Sequence, residues 1–338
     1  MKLKKLNSKF LILEKKNKLR FVNTILPKPK KKQLLVKILY TSICASQIME
    51  FKGLRGHDKW LPHALGHEAV GEIISIGKNI KKFKINQKII LSWIRKKGKR
   101  VAGKIFYEKK KYFNYGPITT FSSYTLISST SAFPIPKNIK LKSASLFGCA
   151  IPTGMGMVLN EAKPNQKKKC AIIGLGGVGI FILFALKFLK IKNITVIDTN
   201  DIKLKIAKYY GIKNLINPKK IKKLDDDFDF VFESTGQSKS IENSIKLLKN
   251  SGKIFFASHP AKNQKIKIDP HELIKGKRIY GSWGGKSNLD RDIPRFYKIL
   301  KNMKINIDKF CSYHSFDKII DLIKNFNNSN NTRSIVKM

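Results

Sequence analysis

Residues 170–188 read CAIIGLGGVGIFILFALKF, and no other stretch restricts the fold of this chain as much. A short apolar strand runs into a G-x-G-x-x-G pattern and straight on into an apolar helical segment. The pattern alone is weak, but in this setting the glycines have mechanical reasons. Gly174 permits a tight turn, Gly176 lets the backbone approach a pyrophosphate, and Gly179 lets the helix pack on the strand. Gly177 and Val178 complete the loop. The helix start offers unpaired N–H groups and the positive end of its dipole to phosphates. The next apolar strand, NITVID, ends in Asp198, about 20 residues on, where a ribose-binding acid is expected. A carboxylate there accepts bonds from ribose hydroxyls and repels a 2′-phosphate, which predicts NAD rather than NADP. The alternative is a helix N-cap aspartate after an ordinary glycine turn. Strand, glycines, helix and acid in register argue against it.

Around this loop the chain alternates between elements. From about residue 151 to 285, CAIIG, NITVID, FDFVFES and GKIFFAS alternate with the helical stretches GVGIFILFALKFLK, DIKLKIAKYYG and IENSIKLLKN. Such alternation predicts an α/β doubly wound parallel sheet. Residues 1 to about 150 have another texture. QLLVKILY, AVGEIISIG, KIILSWI and FSSYTLIS are short runs with period-two alternation, broken by turn residues, and predict a barrel-like β domain. The tail from about 286 holds one helical pattern, DKIIDLIKNF, and the strand-like SIVKM. At 338 residues and 42% hydrophobic, the chain can bury two such domains.

The formal net charge of +47 invites a nucleic-acid reading. Lysine far outnumbers arginine, however, and is spread over KPKKK, RKKGK, QKKKC and PKKIKK rather than gathered into one motif. Base reading and bidentate phosphate contacts favour arginine. A solvated lysine-rich surface is the simpler account, with loose, salt-sensitive binding to polyanions and no specific nucleic-acid partner. No apolar run is long enough to span a membrane, and the FLIL patch near the N-terminus is too short for a signal-peptide core. The four widely spaced cysteines, Cys44, Cys149, Cys170 and Cys311, do not form a disulfide framework, and a reducing cytoplasm suits them better.

Three of the remaining features bear on chemistry. Cys44 follows a hydrophobic run, His67 and Glu68 stand just before a strand, and Cys149 lies just before the dinucleotide-binding segment. Two thiolates and an imidazole, with the fourth position left for water or substrate, make a catalytic zinc site. Cysteine is also commonly a small buried hydrophobe, and the long sequence spacing alone does not decide between these readings.

Taken together, these residues resemble the zinc-dependent alcohol dehydrogenases of the medium-chain dehydrogenase/reductase superfamily over nearly the whole length. The resemblance is carried by Cys44 with Ser46 two positions on, by Gly66-His67-Glu68, and by GCAIPTG around Cys149 and Thr153. It continues through GLGGVG with Asp198 and Lys203, GSWGG at 281–285, and Arg333. It implies a GroES-like β-rich catalytic domain, residues 1–150 and 286–338, and a Rossmann NAD-binding domain, residues 151–285. It implies that Cys44, His67 and Cys149 hold one catalytic zinc, with Glu68 beside it. Ser46 would exchange a proton with the substrate oxygen and Thr153 would lie near the nicotinamide. Lys203 and Arg333 would contact ribose and pyrophosphate. The implied reaction moves hydride between an alcohol, polyol or carbonyl compound and NAD in a homodimer or homotetramer. Loops near 49–60, 93–118 and 283–290 would line the substrate pocket.

Departures from the family pattern are equally informative. The four clustered cysteines that hold a structural zinc in many members are missing between residues 90 and 130, so that lobe must be remodelled. Gln47 stands where an aspartate often supports the ligand histidine, and it can still accept a hydrogen bond but carries no charge. Met49 replaces a proton-relaying histidine. His63 reads as a supporting or surface residue, and His57, His259, His271 and His314 show no partner pattern. Cys170 and Cys311 read as core thiols. A zinc-free quinone or enone reductase of the same superfamily, and a basic nucleic-acid-binding protein on an inactive scaffold, are the competing readings.

Overall fold

A computed structural model describes residues 6–94, 96–108, 110–220, 227–258, 260–326 and 332–338. His259 and the second half of the PKKIKK run lie outside the described residues. The first part of the chain is strand-rich. It holds β1 (Leu6–Lys15), β2 (Lys18–Leu26), β3 (Gln33–Ser42), α1 (Ala45–Phe51), β4 (His63–Ala64), β5 (Glu68–Ile76), β6 (Lys88–Ser92), β7 (Gly103–Glu108), β8 (Lys111–Tyr115), β9 (Tyr124–Ser128) and β10 (Ala132–Pro134). The short helices α2 (Leu141–Ala144) and α3 (Ala150–Gly156) lead out of it. The second part alternates β11 (Lys169–Ile173), α4 (Gly179–Phe188), β12 (Asn193–Ile197), α5 (Asp201–Tyr209), β13 (Asn214–Ile216), β14 (Phe228–Glu233), α6 (Ser238–Lys246), β15 (Leu248–Phe256), α7 (Pro270–Ile274) and β16 (Arg278–Gly281). The tail adds α8 (Leu289–Asn302), β17 (Cys311–Ser315), α9 (Ile319–Lys324) and β18 (Arg333–Lys337).

Among the described residues the strands make three sheets. One runs β2-β1-β4-β8-β7, and a second runs β10-β6-β5-β3-β18-β17 with β9 also on β3. The third, β13-β12-β11-β14-β15-β16, pairs in parallel throughout. The parallel sheet is the doubly wound sheet expected from the strand-helix alternation, and the strand-rich part is the GroES-like β unit that the family resemblance implies. In the parallel sheet every residue of β14, FDFVFE, is buried, as a central strand covered on both faces requires. Helix α4 is buried from Gly179 through Leu186, which explains its unbroken apolar sequence.

Two features were not visible in the sequence pattern. Helix α8 lies in the tail yet turns Leu289, Ile293, Phe296, Ile299 and Leu300 into the core that also holds α3 and α4. Strand β18 enters the middle of the second sheet, antiparallel to β3 and parallel to β17. Cys311 opens β17, and both it and Cys170 are buried. Where the structural-zinc cysteines would lie, β7 and β8 form an antiparallel hairpin.

Candidate active site

Three separate elements deliver the sulfur and nitrogen ligands. Cys44 ends the β3 run and caps α1, its own N–H donating to Gln47 Oε1 at 2.9 Å. His67 immediately precedes β5. Cys149 caps α3 and follows Gly148, where a Cβ would lie 2.3 Å from Leu91 O and 2.7 Å from Glu68 Cβ. Any larger residue at 148 would push Cys149 away from β5. The ligand atoms of Cys44, His67 and Cys149 all lie within 4.8 Å of one another, and among the described residues no other such group of three converges.

His67 Nε2 is buried and has no hydrogen-bond partner, a costly condition for a polar atom unless a ligand satisfies it. Its Nδ1 faces Gln47 Nε2 and, at 3.3 Å, Ser46 Oγ. The amide thus points opposite to the sequence expectation. Its oxygen is taken by the Cys44 N–H at the helix start, leaving the nitrogen toward the imidazole. An imidazole that ligates through Nε2 keeps its proton on Nδ1; the Gln47 amide nitrogen can only donate, so the acceptor for that proton is Ser46 Oγ at 3.3 Å or, with the amide turned over, Gln47 Oε1.

The two thiols act as a pair. A bond from Cys149, and then Arg333 and His67, hold Cys44 well below the ordinary thiol pKa. The same contact with Cys44, reinforced by burial, pushes Cys149 well above it. Burial opposes a charged His67, but the adjacent Cys44 sulfur together with Glu68 and Glu50 offsets this and raises its pKa. Glu68 is fully buried, and burial raises its carboxyl despite the pull of Arg333. Arg333 Nη2 donates to Glu68 Oε1, while Ala150 N donates to Glu68 Oε2 at 3.3 Å. Burial works against the charge on Arg333, yet Glu68 and the two sulfurs hold it protonated. A soft set of two sulfurs and one imidazole nitrogen, charge-balanced by Glu68 and Arg333, fits zinc.

The glycine loop faces this group. A Cβ on Gly179 would sit 2.0 Å from Gly174 O, so the turn tolerates no side chain there. A Cβ on Gly176 would meet nothing within 4 Å, leaving the backbone open to close approach. Asp198 is buried and accepts from Leu175 N at 2.7 Å and from Asn200 N at 2.8 Å, tying the loop to the end of β12. Each carboxylate oxygen retains a lone pair for a ribose hydroxyl. The Arg333 guanidinium lies against Gly177 as well as Glu68. Lys203 is half-buried in the first turn of α5. These groups suit a dinucleotide.

Between the domains lies a cleft of about 730 Å³ that brings Cys44, Ser46, His67, Cys149, Thr153 and Val178 together. Thr153 Oγ1 is buried without a partner. His63 is not among these residues. Its Nε2 is 2.8 Å from Asp58 Oδ2, and it lines a second cavity behind Gln47. Trp93 and Trp283, at the starts of two of the loops expected to line the substrate pocket, also line the cleft, as do Met49 and Leu54 from the third.

Comparisons with known proteins agree with this arrangement. Residues 30–137 match the alcohol dehydrogenase GroES-like domain, and residues 177–304 match the zinc-binding dehydrogenase domain. Alcohol dehydrogenase 6 of Peromyscus maniculatus is 26% identical, over 88% of this chain and 89% of its own. Alcohol dehydrogenase class-3 of Caenorhabditis elegans is 27% identical, over 84% of each. The crystal structure of benzyl alcohol dehydrogenase from Acinetobacter calcoaceticus superposes with a TM-score of 0.88 at 22% identity, covering 98% of this chain and 99% of that one. With a GroES-like unit, a doubly wound sheet and a cysteine-histidine-cysteine cluster at their junction, this chain belongs to the zinc-type alcohol dehydrogenases of the medium-chain dehydrogenase/reductase superfamily, oxidoreductases that act on alcohols.

Proposed function

We propose that this chain oxidises an alcohol, or reduces the matching carbonyl compound, with one zinc ion per chain and NAD as the hydride carrier. The observation that carries the reading is the convergence of one His67 ring nitrogen and both thiol sulfurs within 4.8 Å, beside a buried His67 Nε2 that has no hydrogen-bond partner, in a cleft shared with the glycine loop. Bound zinc would act as a Lewis acid toward a substrate oxygen. Cys44, His67 and Cys149 would hold it, and Glu68 with Arg333 would balance its charge from behind. Ser46, lining the same cleft, would take up and pass on the substrate's hydroxyl proton. Met49 lines the cleft without an ionisable group, so water is the simplest onward route. Thr153 would position the nicotinamide, and Asp198 with Lys203 the adenosine ribose. Arg333 would reach the pyrophosphate beside Gly177. We assign residues 1–150 and 286–338 to the catalytic unit, residues 151–285 to the cofactor unit, and a homodimeric or homotetrameric cytoplasmic form to the whole.

The convergence of all three ligands argues against a zinc-free quinone or enone reductase. Among the described residues no helix is long and apolar enough to cross a membrane. The test is elemental analysis of the purified protein together with alcohol-dependent reduction of NAD. About one tightly held zinc per chain, lost in Cys149→Ser combined with His67→Ala, is expected. Two tightly held ions per chain, or full alcohol turnover by the double variant, would refute the assignment.

A further inference from the structure

The second cavity has a volume of about 1090 Å³, at the upper end of what small-molecule sites occupy. Glu50, Arg55 and His67 line both this space and the cleft, so a single layer of side chains divides the two. Its floor is one face of the first sheet. Leu13, His63, Asn114 and Lys104 stand opposite one another in register across β1, β4, β8 and β7, and all four line the cavity. Gly53 and the run from Arg55 to Leu61 supply a second wall. The hairpin that carries Asn114 and Lys104 occupies the lobe where the structural-zinc cysteines are missing. The cavity is therefore built from the part of the chain that departs from the family pattern.

Charge on this lining is one-sided. Its two carboxylates are already engaged, Glu50 with Arg55 at 2.6 Å and Asp58 with His63 at 2.8 Å. Lys16, Lys59, Arg100 and Lys104 line the cavity as well, and among the described residues none of the four pairs with a carboxylate. Lys59 and Lys104 lie instead over the Trp60 and Tyr112 rings, 5.2 and 4.0 Å from their centroids, and His57 adds an imidazole to the same lining. The neutral polar groups have partners within the protein. Asn114 Nδ2 donates to Trp60 O at 2.7 Å, Tyr115 OH accepts from Gln33 Nε2 at 2.9 Å, and the Thr119 and Thr125 hydroxyls meet at 3.0 Å. Leu13, Leu61, Leu65, Pro117 and Ile118 supply apolar surface. The Trp60 indole is 60% exposed, yet its backbone is fixed at both ends, since Trp60 N donates to Asp58 Oδ1 at 2.9 Å and its carbonyl accepts from Asn114.

We propose that this second cavity is a binding site for a small apolar acid, a carboxylate carried on an aromatic body, distinct from the cleft that holds the ligand cluster. The carboxylate meets the cations that no protein carboxylate neutralises, and the ring covers the pinned indole and the hydrocarbon beside it. A bare anion such as phosphate leaves the apolar surface wet. A neutral ring draws water from the lysines and the arginine without pairing them. An occupant of this site stands directly behind His67 and against Gln47, the amide that faces the imidazole.

The full chain, supplied with zinc and NAD, tests this by calorimetric titration with 4-phenylbutyrate, 4-phenylbutyramide and acetate. Phenylbutyrate is expected to bind saturably. The amide keeps the body without the charge and should bind about 10- to 100-fold more weakly, the range of hydrogen bonds to charged groups. Acetate keeps the charge without the body and should not saturate at the same concentrations. Trp93→Phe with Trp283→Phe leaves Trp60 as the only tryptophan, and its emission should change with the calorimetric midpoint. Trp60→Leu should weaken phenylbutyrate about tenfold, a measurement that stands if the double phenylalanine variant fails to fold. Arg100→Ala with Lys104→Ala should weaken it about tenfold or more. Lys205→Ala with Lys208→Ala, which removes the same charge from exposed positions on α5, should not. Equal affinity for acid and amide, equal losses in the two double variants, or an unchanged Trp60 emission at saturation overturns the inference. So does binding that disappears when zinc is removed yet persists in the Arg100–Lys104 variant, because the acid would then sit at the ligand cluster.

Discussion

Arg333 and Glu68, 265 residues apart in sequence, form a side-chain ion pair with Glu68 fully buried and Arg333 5% exposed. Removing one charge from such a pair strands the other in a low-dielectric interior. Glu68→Gln should therefore destabilise the protein by about 3–5 kcal/mol, with Glu68→Asp falling between. Urea-unfolding midpoints at equal slope check this. A Glu68→Gln variant within about 1 kcal/mol of the parent would show that the pair contributes little beyond packing.

Asp198 has two tasks, clasping the glycine loop through Leu175 N and Asn200 N and facing the ribose site. Asp198→Asn removes the charge while keeping one acceptor oxygen. The ratio of kcat/KM for NAD over NADP should fall about 10- to 100-fold, the range of one charge-assisted hydrogen bond. Steady-state kinetics with both cofactors decide it, and a native preference for NADP would contradict the role assigned to this carboxylate.

Ser46→Ala should retain zinc and NAD binding yet lower kcat by about 10²- to 10⁴-fold, as loss of general acid-base assistance does. Ser46→Thr, which keeps the hydroxyl, should recover much of the rate. Because Ser46 Oγ also lies 3.3 Å from His67 Nδ1, metal content must be measured beside turnover. Near-native kcat with full zinc in Ser46→Ala would assign the hydroxyl to orienting the imidazole alone.

Glu233 supplies a pH dependence. It is fully buried at the end of β14, and burial raises its carboxyl pKa although Thr235 N donates to its Oε1 at 2.8 Å. Between the ordinary carboxylate pKa, about 4.3, and the raised folded value, the folded protein keeps a proton that the unfolded chain has lost. This contribution to stability is complete below the unfolded pKa and declines as pH rises, by about 1.4 kcal/mol per unit of pKa difference. Glu233→Gln should remove that slope, so the melting temperature of the variant relative to the parent should rise with pH. A relative melting temperature that stays level or falls over that range would show that Glu233 ionises normally.

Local order in the sequence carried a large part of this fold. GLGGVG with Asp198 announced the strand, turn and helix because those constraints act within about 25 residues. The ligands Cys44, His67 and Cys149 were identifiable by family resemblance and not by spacing, since β3, β5 and the start of α3 converge only through tertiary structure. For the same reason the Arg333–Glu68 pair and the packing of α8 left no periodic signal. The orientation of Gln47 was hidden for a different reason. It depends on which of two donors, the Cys44 N–H or the imidazole, takes the single amide oxygen.

The position of β18 has a consequence for how the molecule assembles. This strand, near the end of the chain, fills an interior place between β3 and β17 rather than an edge. The parallel sheet is drawn from one continuous stretch, Lys169–Gly281, and its strands can pair as they emerge during synthesis. The sheet beneath the ligand cluster has a gap until β18 arrives, and closing it requires contacts of very long sequence separation. Arg333 travels on that strand, so the countercharge to Glu68 is installed when the gap closes. Completion of the second sheet and the pairing of Glu68 with its countercharge are therefore joined in one step.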